Sequence, residues 1–139
     1  EDAVRIYREA GHYIGLPAAL ANLAIVAIHH HEDDDAVRYL DEAVRILATA
    51  GGSGMAPGVL ALRLLLHSRA ADWDAVDERW EDIDEPIRRG AGIDRDVAWA
   101  LDELSALAEA AERPGIAARA ATLARVVRRS LGEEARTIT

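Results

Sequence analysis

The residue types best suited to chemistry stand together between His29 and Asp35, where three histidines are followed by four acidic residues. Imidazole and carboxylate groups bind zinc, which takes three or four converging ligands. Consecutive residues of a helix point about 100° apart, so only pairs such as His29 with Asp33, or His30 with Asp34, could share a face. The run is therefore interpreted as a polar turn followed by an acidic helix start, and no metal site is predicted.

A second acidic stretch runs from Asp72 to Glu85. It lacks the Gly and the alternating acidic residues of a calcium-binding loop. Its acidic residues lie outside the apolar stripe of the predicted helix, which predicts a solvated helix face. The glycine-rich run 51–54 follows no predicted strand and precedes no Lys, which excludes a phosphate-binding loop. No catalytic residue and no cofactor is predicted, and the chain is not expected to be an enzyme.

The composition favours an all-α fold in a bacterial protein. Half of the 139 residues are hydrophobic, Ala and Leu dominate, and Cys and Phe are absent. Without Cys there is no disulfide and no thiolate chemistry. All 16 basic residues are Arg, which is typical of a GC-rich bacterial genome. With no leader and no apolar run of about 20 residues, we expect a cytoplasmic protein that does not enter the membrane.

The net charge of −9 is unevenly distributed along the chain. Residues 72–112 carry 14 acids against four Arg, whereas residues 113–139 carry six Arg against two acids. Because an acidic surface repels phosphate groups, no direct nucleic-acid binding by this segment is expected. The basic end is expected to contact an acidic partner or the acidic middle of another copy, or to lie solvated near a helix C-terminus.

Apolar periodicity predicts about seven helices separated by Gly, Pro and acidic residues. The first covers residues 1–10, has no initiator Met before it, and indicates a piece of a longer protein. The others are predicted at about 17–30, 33–50, 57–70, 72–87, 94–111 and 114–131. The helix at 17–30 is apolar on nearly every face, so we expect other helices to cover several of its sides. Pro86 is expected to kink or stop the helix at 72–87.

An internal repeat is the strongest pattern in the sequence. The second helix of each unit carries apolar and small residues at corresponding places: Ala36, Leu40 and Ala43, then Val76, Trp80 and Ile83, then Ala117, Ala121 and Ala124. The first helices of the outer units correspond in the same way, whereas Leu60, Arg63 and His67 of the middle unit match less well. The units cover about 1–15 (partial), 16–54, 55–92 and 93–132 within one domain, 1–139.

At these residues the chain resembles the tetratricopeptide repeat family, whose second helices carry a small, a large and a small residue as Ala36, Leu40 and Ala43 do. The sequence departs from that family in its spacing of about 40 rather than 34 residues, and in Leu20 and Ala24 at places where Trp and Gly are usual. The resemblance implies a right-handed α-solenoid of antiparallel helix hairpins. The chain is also similar to the helical C-terminal regions of large bacterial transcriptional regulators and signalling ATPases.

The resemblance further implies a concave surface, built by the first helices of the units, that holds a segment of a partner. By correspondence, its partner-binding residues are expected to be Asn22, Ile25, His29, Leu65, Arg69, Trp99, Asp102 and Glu109. Neighbouring positions on the same surface are Ala21, Ile28, Ala61, Ser68 and Ala106. This predicted concave surface is mostly apolar with a few charges, and it fits an apolar helix or extended segment of basic character.

The function expected from the sequence is that of a protein–protein interaction module within a bacterial transcriptional or signalling regulator. It would bind a protein or peptide segment on a preformed surface, without chemistry of its own. The alternative is a structural segment that joins two copies of the chain in a homodimer. In that case the exposed end helices pair with the other copy. A separate alternative for the predicted concave surface is that it packs against missing repeats or against another copy.

Overall fold

The computed structural model describes residues 15–50 and 56–138, and in these ranges the chain forms seven α-helices and no strand. The helices are α1 (Leu16–His29), α2 (Asp33–Ala50), α3 (Ala56–Arg69), α4 (Trp73–Arg79), α5 (Glu81–Arg88), α6 (Arg95–Ala110) and α7 (Pro114–Ile138). The all-α prediction is confirmed. The helix predicted at 1–10 and the glycine-rich run 51–54 lie outside the described residues.

The seven described helices are not the seven that the sequence predicts, because the helix expected at 72–87 consists of two. α4 ends at Arg79 and α5 begins at Glu81, with Trp80 between them. Trp80 keeps helical dihedral angles (φ −55°, ψ −43°) and its indole is buried, so the interruption lies in the hydrogen-bond pattern. Pro86, which the sequence predicts to kink or stop the helix, lies inside α5, two residues before its end at Arg88.

Three of the described turns between helices share one conformation at equivalent places. His31, Ala71 and Glu112 each adopt a left-handed conformation, with φ of 58°, 59° and 58°. The next residue in each turn donates its backbone N–H to a carbonyl five residues earlier: Glu32 to Ala27, Asp72 to His67 and Arg113 to Ala108, all at 2.8 Å. This is the Schellman arrangement that closes a helix C-terminus. The same residue that closes one helix directly precedes the next.

The spacing of these turns matches the sequence repeat. The interval from His31 to Ala71 equals that from Ala36 to Val76 in the apolar pattern, and the next turn, at Glu112, keeps the same register with Ala117. Burial follows the pattern at the first two of these places, where Ala36 and Val76 have no solvent exposure, whereas Ala117 at the third place is only partly buried. The repeat seen in the sequence is therefore also a repeat of backbone geometry in the described part of the chain.

α3 is the helix that its neighbours cover most completely. It contacts α2, α4, α5 and α6, and its leucines from Leu62 to Leu66 are buried. The most extensive helix pairs are α1 with α2 and α6 with α7. On α1, Leu20, Ala24 and Ile28 are buried, whereas the Val26 side chain is 53% exposed, so the described helices leave one face of α1 open. None of the described helices is both long and apolar enough to cross a membrane.

Candidate functional site

A groove of about 360 Å³ opens between α1, α3 and the chain that leads into α6. Its lining residues are Ala18, Ala21, Asn22 and Ile25 of α1, Gly58, Val59 and Leu62 of α3, and Gly92, Ile93, Asp94, Asp96 and Val97 at the start of α6. We call it the α1–α3–α6 groove. The floor is aliphatic, and the polar side chains are one amide and two carboxylates. A cavity of this size and character is typical of sites that bind small ligands or short segments.

Gly92 allows the segment before α6 to lie in close contact with α3 at the edge of the groove. Gly92 has φ +65°, and a Cβ there would lie 3.2 Å from the backbone nitrogen of Gly58 and 3.2 Å from Cβ of Pro57. A Cβ on Gly58 would lie 3.4 Å from Cγ2 of Val97, which is an ordinary van der Waals contact, so the close approach depends on Gly92. A side chain at Gly92 would therefore push the 90–94 segment away from α3 and change the shape of the groove.

The polar end of the groove is acidic. Asp94 is the N-cap of α6, with extended backbone (φ −152°, ψ 172°), and its Oδ1 accepts the N–H of Val97 at 2.8 Å. Asp96 is exposed in the first turn of α6 and has no hydrogen bond or ion pair with any described residue. Arg95, between them in sequence, lines a different cleft. No basic side chain of the described ranges lines the α1–α3–α6 groove.

Of the residues predicted to bind a partner, Asn22 and Ile25 line this groove. Two others, His29 at the end of α1 and Trp99 on α6, form an aromatic contact, with ring centroids 4.8 Å apart and planes tilted by 33°. The contact joins the unit at 16–54 directly to the unit at 93–132. The structure thus brings together predicted residues from α1 and α6.

The part of the predicted concave surface that belongs to α3 is closed. Leu65 and Ala61 are 1% exposed and Ser68 is 3% exposed, with the Ser68 hydroxyl donating to the Leu65 carbonyl at 2.7 Å. These side chains belong to the core, because α3 is covered by several helices. The correspondence between repeat units predicts that these side chains lie on the concave surface. That correspondence carries no information on how closely the neighbouring helices pack against α3.

Arg69 is held in a bidentate contact rather than presented to a partner. Its Nε donates to Asp33 Oδ2 at 2.8 Å and its guanidinium donates to Oδ1 at 3.0 Å. The same guanidinium lies 2.9 Å from Nδ1 of His31. Arg69 therefore fixes the end of α3 to the turn before α2, and Asp33 is engaged there. Among the described residues, no group of three or more His, Cys, Asp or Glu side chains is arranged to hold a metal ion.

Asp102 faces α7, where it forms an ion pair with Arg128. The hydrogen bond from Arg128 to Asp102 raises the pKa of the guanidinium, because it favours the charged form. Both residues line an open shelf of about 380 Å³ with Trp99 and Arg95. Glu109, the remaining predicted residue, is exposed near the end of α6 and lines neither the shelf nor the α1–α3–α6 groove.

The basic end and the acidic middle of the chain contact each other within one molecule. Arg119 donates to Asp77 at 2.7 Å, and its guanidinium carbon lies 5.6 Å from the centre of the Trp80 ring. The pair of Arg128 and Asp102 is a second contact of the same kind. The sequence leaves open an acidic partner, another copy or a solvated surface for these arginines, and the structure gives two of them acidic partners in their own chain.

A smaller cleft of about 110 Å³ lies on the other side of α3, and the sequence pattern does not predict it. Arg63 forms an ion pair with Asp41 beside it, and burial together with the nearby Arg79 lowers the pKa of Arg63. His67 is 23% exposed, its Nε2 is buried without a hydrogen-bond partner, and burial followed by the charge of Arg63 lowers its pKa. In the sequence, Arg63 and His67 occupy positions where the other units carry apolar residues, and this mismatch indicates the polar cleft.

Comparison with known proteins identifies no relative. No family model, no curated protein and no solved structure matches the chain.

Proposed function

We propose that the chain is a protein-interaction module in which the α1–α3–α6 groove binds a segment of a partner protein. The helices would form a right-handed solenoid of hairpins similar to tetratricopeptide repeats, within a bacterial transcriptional or signalling regulator. The observation that carries the proposal is the groove itself, which combines an aliphatic floor with a polar rim at the meeting point of three helices. Such grooves bind helical or extended segments by burying a few apolar side chains of the partner.

The repeated turns at His31, Ala71 and Glu112 support a solenoid, because each unit ends its first helix in the same way. Stacked units with the same geometry build one continuous surface, which is how helical repeat proteins bind partners. The ring contact between His29 and Trp99 supports a preformed groove, since it joins α1 to α6 through side chains of the chain itself. A preformed surface loses less conformational entropy on binding.

Peptide selection tests the proposal directly. A random peptide library is selected against the immobilised protein. The dissociation constants of the enriched peptides are then measured by calorimetry for the unmodified chain and for variants of two adjacent α1 residues. Ile25→Glu places a charge in the α1–α3–α6 groove, whereas Val26→Glu places the same charge on the exposed face beside it. We expect Ile25→Glu to weaken binding at least about tenfold, because burying an unpaired charge costs several times RT. Val26→Glu should change binding less than about twofold.

The second candidate function is self-association through the open face of α1. It is favoured by Val26, the only large hydrophobic side chain of the described residues that is exposed, at 53%. Light scattering over a concentration series separates the two functions. A mass that rises with concentration and returns to the monomer in Val26→Glu supports self-association. A constant monomer that still binds selected peptides supports the module, and a protein that does neither contradicts both.

A further inference from the structure

The described lining of the α1–α3–α6 groove carries two negative charges and no positive one. Asp94 and Asp96 line it at the start of α6, and its other polar side chain, Asn22, is neutral. Asp94 uses Oδ1 to cap the helix, which leaves its second carboxylate oxygen available, and Asp96 has no partner among the described residues. A ligand that reaches this end of the groove therefore meets two carboxylates whose charge no basic side chain of that lining offsets.

The helix N-terminus beside these acids does not cancel their charge. The dipole of α6 is equivalent to about half a positive charge at its first turn. Two carboxylates exceed it, and the N–H of Val97, one of the groups that carry that partial charge, is already bonded to Asp94. The field at this end of the groove thus favours a cation, and close charge complementarity of this kind sets which partners bind.

The floor next to the acids is aliphatic, with Ile25, Val59, Leu62 and Ile93 lining it. A long basic side chain matches both features at once, because Arg and Lys bury their methylene stems on apolar surface and keep the charged head at a polar edge. A short cation without a stem leaves the floor uncovered, and an aliphatic side chain leaves the carboxylates unpaired. The volume of about 360 Å³ holds such a side chain together with one or two apolar neighbours.

We infer that the partner segment carries an Arg or Lys next to apolar residues, with its stem on the groove floor and its charged head on Asp94 and Asp96. This inference rests on the proposed function, since it names the chemistry of the segment that the same groove binds. The occupant is a cationic amphipathic stretch of a partner protein, and the specificity for it lies in two residues outside the predicted concave surface.

The test compares peptide selection on the unmodified chain with selection on the double variant Asp94→Asn/Asp96→Asn. Asn is as good an N-cap as Asp, so the variant keeps the helix start while it removes both charges. The matched control is Asp74→Asn/Glu103→Gln, which removes two charges from exposed positions outside the groove. Circular dichroism and thermal unfolding check that all three proteins are folded to the same extent.

The expected result is that peptides enriched on the unmodified chain contain an Arg or Lys flanked by apolar residues. Those peptides should bind the double variant about tenfold more weakly and the matched control within about twofold, as expected for the loss of a charge-assisted contact. Raising the salt concentration to about 0.5 M should weaken binding to the unmodified chain and leave the double variant nearly unaffected.

Two other results separate the inference from the proposed function. If peptides are enriched and are blocked by Ile25→Glu, but lack basic residues or bind the double variant equally, the groove binds a partner and the inferred specificity is wrong. If no enriched peptide responds to Ile25→Glu, the proposed function itself fails. Basic peptides that bind the matched control as weakly as the double variant would show a response to net charge alone and would also overturn the inference.

Discussion

Nε of Arg69 lies 2.8 Å from Oδ2 of Asp33, and this contact connects the last residue of α3 to the first residue of α2. The two side chains are partly buried and bonded through two nitrogens. Bidentate arginine–carboxylate pairs fix orientation as well as distance. The pair therefore fixes the orientation of the unit at 55–92 relative to the unit at 16–54, beside the turn that follows α1.

Replacing Arg69 by Ala should destabilise the protein by about 1 to 2 kcal/mol, because it leaves a partly buried carboxylate without its charged donors. The measurement is urea unfolding followed by circular dichroism. Arg38→Ala is the matched control, since Arg38 is exposed and pairs with Asp35 on the same helix. Exposed pairs of that kind contribute under about 0.5 kcal/mol. Equal losses in the two variants would contradict a special role for Arg69.

Ala71→Gly should stabilise the protein by about 0.5 kcal/mol, because Ala71 has φ +59°, a conformation that costs a residue with a Cβ about 1 kcal/mol. Gly removes this cost. Part of the gain is lost, because Gly makes the unfolded chain more flexible. The change is measured by thermal unfolding.

The control for Ala71→Gly is Ala106→Gly, an exposed position inside α6, which should destabilise by about 1 kcal/mol. If both variants lose stability by similar amounts, the left-handed turn is not the geometry that the chain adopts in solution.

The second-helix repeat could be predicted from the sequence because it depends on local properties. Small residues at Ala36 and Ala43 with Leu40 between them give one apolar stripe, and the recurrence of that stripe in each unit locates the turns. The left-handed residues at those turns are not glycines, so no residue type marks them. Their position follows from the repeat and not from turn chemistry.

The site was predictable only in part, because it depends on how helices from different units approach each other. Asn22 and Ile25 are in the groove, but Leu65 is in the core and Arg69 is bonded to Asp33. The sequence predicts Asp94 only as the start of a helix, which is its N-cap role. Its position on the rim of the groove depends on the packing of α6 against α1 and α3, which the sequence pattern does not give. Contacts between distant parts of the chain decide these outcomes, and neither periodicity nor charge pattern encodes them.

Gly92→Ala should destabilise the protein by about 1 to 3 kcal/mol and weaken peptide binding in the groove, because strain at a positive φ and crowding add. The new Cβ would stand at φ +65° and 3.2 Å from both Gly58 and Pro57. The control Gly115→Ala adds a Cβ in the first turn of α7 with no atom within 4 Å, and it should stabilise by up to about 1 kcal/mol. Changes of opposite sign in the free energy of unfolding of the two variants would verify the close contact. An unchanged stability of Gly92→Ala would contradict it.

His67 should make the protein less stable as the pH falls from about 7 to 5. Burial and the positive charge of Arg63 lower the pKa of His67 in the folded chain below its usual value of about 6.5. The unfolded chain therefore binds a proton at a higher pH than the folded chain does. Stability rises with pH wherever the unfolded state binds more protons, so the contribution of His67 is complete above about pH 7 and decreases below about 6.5.

The matched variant for this pH dependence is His67→Gln, which keeps a polar side chain and cannot titrate. We expect the difference in urea midpoint between about pH 7 and pH 5.5 to be smaller in the variant than in the unmodified chain. The control is His30→Gln, which removes an imidazole at an exposed position in the turn between α1 and α2. A change in the difference as large as that of His67→Gln would contradict its assignment to His67. An NMR titration that gives His67 a pKa above about 6.5 would reverse the sign, because the protonated ring would then stabilise the fold at low pH.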